Sequence, residues 1–212
     1  MKTRLCLVRH GETSWNAEQR LQGHLDIPLN PVGEAQAAAT AASLATVHFA
    51  AVYSSDLQRA RQTATAITRN RAAAVEFHDR LRERNYGAFQ GLTYSEAETR
   101  FPDDYRRFKQ RDPLFTFPGG GESLAEFSAR VAEALTELAN NHAGEQVLVV
   151  THGGVLDIVH RLAAGKALDA PRDFTIPNAA LNWIEYDGDT WHLVSWAERG
   201  HLEGTRDELP NA

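Results

Sequence analysis

Two short apolar runs in this chain, Leu5-Cys6-Leu7-Val8 and Val147-Leu148-Val149-Val150, carry no charge, and both run into a histidine followed by glycine. The first leaves through Arg9-His10-Gly11, the second through Thr151-His152-Gly153-Gly154. Runs of this length without alternation are how strands buried on both faces read, so both belong at the centre of a sheet covered by helices. The surrounding pattern supplies those helices. Residues 31–44 predict one, with Pro31 in its first turn and an alanine-rich body. Ala51-Val52-Tyr53 predicts another buried strand, after which Ser54-Ser55-Asp56 offers cap oxygens to a helix over about 57–69. Ser123 and Glu126 have capping-box spacing, and Leu124, Phe127, Val131, Leu135 and Leu138 follow at helical intervals. A further helix runs from Gly153 to about residue 163. Residues 180–186 and 191–196 alternate across Asp187-Gly188-Asp189, a hairpin signal.

The expected fold class is therefore α/β: a three-layer sandwich with a mostly parallel central sheet, helices on both faces and an antiparallel edge hairpin. One domain over residues 1–203 is expected. Within it, residues 93–121, rich in charge, aromatics, Pro and Gly, read as a lid-like insertion over one end of the sheet, and residues 204–212 as a polar tail.

The formal net charge of −6 argues against broad binding to nucleic acid or an anionic membrane, so an anion recognised here must be held by a local cluster. Three of the 22 basic residues are lysine, which makes arginine forks the material of such a cluster. The single cysteine, Cys6, sits in the first apolar run as a small hydrophobe and leaves no disulfide within the chain. That run is too short for a signal peptide or membrane span, and a cytoplasmic address follows by elimination. Whether tryptophans 183, 191 and 196 pack inside or pair two copies as a homodimer stays open.

Ligands of open parallel sheets bind beyond the carboxyl ends of the strands. His10 and His152 both leave strands there, so they can share one crevice. The helix opening at Gly153 turns amide donors and a positive dipole end into the same space, which suits an anion. Each piece also has a plain structural explanation: Arg59, in SSDLQRARQT, as a solvated helix residue, and Glu83, in LRERNYG, as a surface partner of Arg82 or Arg84. No H-x-H or H-E-x-x-H spacing suggests a metal.

LVRHGETSWN resembles the RHG signature of the histidine phosphatase, or phosphoglycerate mutase-like, superfamily. GHLDIPLNPVGEAQA, YSSDLQRARQTA, LRERNYGAFQGLT, GGGES and VLVVTHGGV extend the resemblance in order along nearly the whole chain. The resemblance implies that His10 is a nucleophile that becomes a phosphohistidine, while Arg9, Arg59 and His152 hold the phosphoryl oxygens. It implies that Asn16, Gln22, Gly23 and Gly153 complete the phosphate site, and that a backbone carbonyl beside Gly11 orients the other ring nitrogen of His10. Glu83 matches the proton donor, a role that requires a protonated carboxyl and implies an acidic pH optimum. The implied partner is a small phosphorylated metabolite of sugar phosphate, phosphoglycerate or α-ribazole phosphate type, with no metal and no cofactor. A phosphoglycerate mutase and a non-catalytic phospho-ligand-binding regulator are the alternatives. The short stretch from Glu83 to Glu122 favours hydrolysis, whereas Arg106-Arg107 is a mutase-like feature. Gly153 stands where fructose-2,6-bisphosphatases carry glutamine.

Overall fold

The computed structural model describes residues 1–205, so the expected polar tail lies outside the described residues from 206 onward. The two apolar runs become β1 (Thr3–Arg9) and β4 (Gln146–Thr151), adjacent and parallel at the centre of the sheet. Their register pairs Arg9 with Thr151, so His10 and His152 are the next residues out of neighbouring strands. The His10 N–H still donates to the Thr151 carbonyl, at 2.9 Å. This single register brings together two residues that lie far apart in sequence.

Four more strands complete the sheet: β2 (Ala51–Ser55), β3 (Val75–His78), β5 (Leu181–Tyr186) and β6 (Trp191–Glu198). The order is β3-β2-β4-β1-β5-β6. The first four strands are parallel, and β5 and β6 form an antiparallel hairpin at the edge beside β1. Only β3 has no counterpart in the sequence pattern: it is four residues long and its central residues, Glu76 and Phe77, face solvent.

Strand alternation divides the core into two layers. Cys6, Val8, Leu148 and Val150 pack towards Ala60, Ala64 and Ile67, on the side covered by α2 (Pro31–Ser43) and α3 (Gln58–Thr68). Leu5, Leu7, Val147 and Val149 pack on the opposite side, against α6 (Leu124–Asn141) and α7 (Gly153–Ala164). The Ser123–Glu126 capping box opens α6 as its spacing predicts. The start of α3 differs from expectation. Its N-cap, Leu57, makes no side-chain cap, and the Gln58 N–H donates to Asp26 Oδ1 at 2.6 Å instead. Ser55 Oγ accepts from the Leu57 N–H at 3.3 Å and also meets His152, while Asp56 turns to Arg82.

Three short helices lie outside the layers: α1 (Ser14–Ala17), α4 (Tyr94–Arg100) and α5 (Pro102–Lys109). The last two belong to residues 93–121 and carry a hydrophobic cluster of their own, in which Phe89, Phe115 and Phe117 are buried against Tyr86, Tyr94 and Phe108. Arg106 and Arg107 project from α5 into exposed ion pairs, with Asp103 at 2.8 Å and Asp112 at 2.7 Å. The three tryptophans pack within the chain: Trp183 against Phe49, Trp191 against Tyr186 and Trp196 against His160. Cys6 is buried, and burial pushes its thiol well above the usual range, consistent with an inert core residue. Among the described residues no helix is long and apolar enough to cross a membrane.

Candidate active site

His10 is 3% exposed, and its Nδ1 lies 2.7 Å from the Gly11 carbonyl. A carbonyl only accepts, so Nδ1 carries the proton and Nε2 presents its lone pair. The turn that sets this geometry is pinned from three sides. Gly11 N–H donates to Thr63 Oγ1 at 3.0 Å, Asn178 Nδ2 donates to the His10 carbonyl at 2.8 Å, and α2 presses from above. A Cβ on Gly11 would stand 2.4 Å from the Gly33 carbonyl oxygen, which requires glycine at that crossing.

His152 meets His10 edge-on, with ring centroids 5.2 Å apart. Arg59 Nε lies 3.2 Å from its Nδ1 and Ser55 Oγ lies 2.8 Å from its Nε2. Guanidinium only donates, so Nδ1 accepts and Nε2 carries the proton towards Ser55. Arg59 is fully buried, and its terminal nitrogens donate to the carbonyls of Leu25 and Gly23, each at 2.8 Å. It is thus held by carbonyls and a neutral ring, not by a carboxylate. Burial brings its pKa down to about 10, which leaves it cationic at neutral pH. Arg9 is fixed by donation from Nη1 to the Ile176 carbonyl at 2.6 Å.

Burial, reinforced by Arg59, holds both histidines well below the ordinary range, with Arg9 adding to the effect at each and His10 acting on His152. The unfolded chain protonates these rings as pH falls through about 6.5, whereas the folded chain resists. Their contribution to stability is therefore complete above that pH and is lost below it. Urea unfolding should show a loss of roughly 1–3 kcal/mol between pH 7 and pH 5, and a flat profile over that window would contradict neutral buried rings.

Glu83 is 8% exposed and its carboxylate caps α7: Oε2 accepts from Gly154 N–H at 2.9 Å and Oε1 from Arg84 N–H at 2.8 Å. A Cβ on Gly154 would fall 2.1 Å from Glu83 Oε1, so the second glycine of HGG makes room for this carboxylate. The surface pairing that the sequence left open is absent. Arg82 turns to Asp56 at 2.7 Å, and the Arg84 side chain turns to the Glu122 and Phe115 carbonyls. Glu122 braces the loop, accepting from Arg130 Nε at 2.7 Å and from Asn85 N–H at 2.8 Å. Arg130 and His24 both meet the Glu83 carbonyl.

The model of the histidine phosphatase superfamily, branch 1, matches residues 5–199. The chain belongs to that superfamily, and its phosphatase-named relatives and structural neighbours place it among the phosphoric monoester hydrolases. It is 41% identical over 204 residues to phosphoglycerate mutase-like protein 4 of Arabidopsis thaliana, covering 95% of this chain and 87% of that relative. It is 39% identical over 208 residues to a metal-independent phosphoserine phosphatase of the same plant, covering 94% and 83% respectively. Among solved structures, Bacillus stearothermophilus YhfR superposes with a TM-score of 0.87 at 34% identity, over 94% of this chain and 99% of that one.

Of the other residues expected from the superfamily's phosphate site, Gly23 and Gly153 adjoin Arg59 and Arg9. Thr13 caps α1 and Asn16, at the third helical position, completes the capping box, its Oδ1 accepting from Thr13 N–H at 3.0 Å, which leaves the amide nitrogen as its donor. Gln22 is buried, with Oε1 lacking a hydrogen-bond partner. Gly23 takes φ +53° and supplies its carbonyl to Arg59. Gly153 starts α7, and a Cβ there would meet Arg9 Nε at 3.3 Å. Among the described residues no group of three His, Cys, Asp or Glu side chains gathers as a metal site would.

Sequence reasoning missed Ser55, Thr63, Asn178 and His24. The only signal at Ser55 was its place in a cap-like triplet, and the structure uses that hydroxyl to fix His152. Ser55→Ala should leave His152 Nε2–H unpaired in a buried site, destabilising the fold by about 1–3 kcal/mol. A Tm unchanged from wild type would contradict that assignment.

Proposed function

We propose that this chain hydrolyses small organic phosphate monoesters through a phosphohistidine on His10, with Glu83 as general acid and then general base. The observation that carries the reading is the pairing of a neutral His10, whose Nδ1 bond to the Gly11 carbonyl leaves Nε2 with the lone pair, with a buried Arg59 that has no carboxylate partner among the described residues. An entering phosphate dianion takes the place such a carboxylate would fill. Arg9, Arg59, the Asn16 amide and the amides opening α7 at Gly153 then hold its oxygens, with Gln22 and Gly23 shaping the near wall. The anion competes for the Arg59 Nε–H, and His152, beside it, takes up a proton on Nδ1 to donate in turn.

In the first displacement His10 Nε2 attacks phosphorus, the P–O bond to the alcohol breaks, and Glu83 gives its proton to the departing oxygen. In the second, water attacks phosphorus, Glu83 takes the water proton, and the P–N bond breaks to release phosphate and neutral His10. Charge that spreads over the equatorial oxygens is met by the arginines, so the reading assigns no metal.

A mutase would instead protect the phosphohistidine from water and return the phosphoryl group to a phosphoglycerate. Against that alternative, Arg106 and Arg107 are engaged with Asp103 and Asp112 at the surface. The test is turnover by purified, EDTA-treated protein on a panel of monoesters that includes both phosphoglycerates, scoring free phosphate and isomerised product separately. Phosphate release is expected. Interconversion of phosphoglycerates without release would make the enzyme a mutase.

A further inference from the structure

Two loops that carry site residues are joined along their length. One, residues 19–26, supplies the Gly23 and Leu25 carbonyls that hold Arg59, and the other, residues 83–92, begins with Glu83. Leu21 N–H donates to the Leu92 carbonyl at 2.9 Å and Gly91 N–H to the Leu21 carbonyl at 2.8 Å. Arg20 Nη1 adds a bond to the Gly91 carbonyl at 2.9 Å. The Gln90 side chain closes the seam, its Oε1 accepting from His24 N–H at 2.7 Å. Gly23 makes room for it, since a Cβ there would collide with the same Oε1.

His24 is where this seam reaches the candidate acid. It stands between the two residues whose carbonyls hold Arg59, and its ring turns to the other loop, with Nε2 lying 2.8 Å from the Glu83 carbonyl oxygen. A carbonyl only accepts, so Nε2 carries the proton and donates. Burial holds the half-buried ring below its ordinary range, so the neutral form makes this bond at neutral pH. The ring is near enough to His152 for a charge on it to be felt there.

The carbonyl that His24 meets has a direct line to the Glu83 carboxylate. It belongs to the peptide joining Glu83 to Arg84, and the N–H of that same peptide donates to Glu83 Oε1 at 2.8 Å. A trans peptide is planar, so its C=O and N–H tilt together as one plate. Arg130 Nη2 meets the same carbonyl oxygen at 3.2 Å, so the plate is held by His24 from the loop 19–26 and by Arg130 from α6. Fixing the plate fixes the N–H that aims Oε1, while Gly154 N–H holds Oε2 from α7 at 2.9 Å.

We propose that His24 is a positioning residue: by tying the Glu83 peptide to the loop that holds Arg59, it keeps the proton donor in register with the phosphoryl group that Arg59 grips. The inference rests on the phosphatase reading above, with Glu83 as the acid, and adds the element that couples the acid to the anion site. His24 exchanges no proton with substrate. The carbonyls that hold Arg59 belong to the backbone of residues 23 and 25, and Arg130 stays on the Glu83 carbonyl when the imidazole is removed. Loss of the ring therefore loosens the acid and leaves the anion site in place.

The test follows the ratio of kcat on an alkyl ester, glycerol 3-phosphate, to kcat on p-nitrophenyl phosphate, whose phenolate departs without a proton. His24→Leu, which keeps apolar bulk and removes the donor, should lower this ratio by about 10- to 100-fold, the scale of a catalytic group displaced by about an ångström. Inorganic phosphate should bind that variant within a few-fold of wild type, read by calorimetry. His24→Gln, whose amide reaches the carbonyl, should recover much of the ratio. His24→Asn, polar but too short to reach it, stands in where His24→Leu does not fold and should show the same fall. An unchanged ratio in His24→Leu, where Glu83→Gln does lower it, would overturn the positioning role and leave the phosphatase reading intact. An equal loss on both esters together with weakened phosphate binding would make His24 a structural support of its loop and overturn the role as well, as would a His24→Gln enzyme no better than His24→Leu. A ratio unmoved by Glu83→Gln would remove the acid and, with it, the inference.

Discussion

Replacing His10 with alanine should abolish phosphate release, by about 10⁴-fold or more, the scale seen when a covalent nucleophile is removed. The anion site should survive the change. Arg59 is held by the Leu25 and Gly23 carbonyls and Arg9 by the Ile176 carbonyl, none of which involves the imidazole. Inorganic phosphate should therefore bind His10→Ala within a few-fold of wild type, as read by calorimetry. Turnover that persists at more than a few per cent would remove His10 from the role, and loss of binding together with turnover would mean that the ring mainly organises the pocket.

Glu83→Gln should lower kcat by about 10²- to 10⁴-fold on alkyl phosphates, whose alkoxide must be protonated as it leaves. The same variant should lose far less on p-nitrophenyl phosphate, because that phenolate departs without a proton. This contrast separates acid catalysis from simple disruption. Two N–H groups, of Arg84 and Gly154, point at the two carboxylate oxygens, so one of them will face the glutamine amide and the fold should weaken by about 1–2 kcal/mol. Disruption alone would lower both substrates equally, and that outcome would count against Glu83 as the acid.

The centre of this molecule was legible because it is written in local patterns. The uncharged runs of β1 and β4 announce buried parallel strands, and the histidines at their ends are placed by the strands themselves. Arg59 and Glu83 were not legible in that way. Taken locally, each has an ordinary surface role, and only the resemblance to the superfamily raised them above it. Their burial depends on tertiary contacts: Arg59 needs carbonyls from the loop at Gly23 and Leu25, and Glu83 needs the amide of a helix 71 residues further on.

Where the sequence misled, a distant partner had displaced a local one. Ser54-Ser55-Asp56 reads as a cap for α3, but Asp26 supplies that cap from another loop, while Ser55 also meets His152 and Asp56 turns to Arg82. Glu122, in GGGES, braces the backbone that carries Glu83 from a distant position in the chain. Arg106 and Arg107, a mutase-like feature of the resemblance, make ion pairs within α5 and its following turn. Strand β3 escaped notice because an exposed four-residue edge strand lacks the alternation on which such readings depend.

The most direct test of the account is to mix the enzyme with a ³²P-labelled monoester, quench within the first turnover, and ask whether the protein carries label. The account predicts a phosphoenzyme that is labile in acid, stable in alkali, maps to His10 and is absent from His10→Ala. Full phosphate release in the first turnover, with no labelled protein at any quench time in wild type or in the slowed Glu83→Gln enzyme, would mean that water attacks the ester directly and that His10 is not the nucleophile.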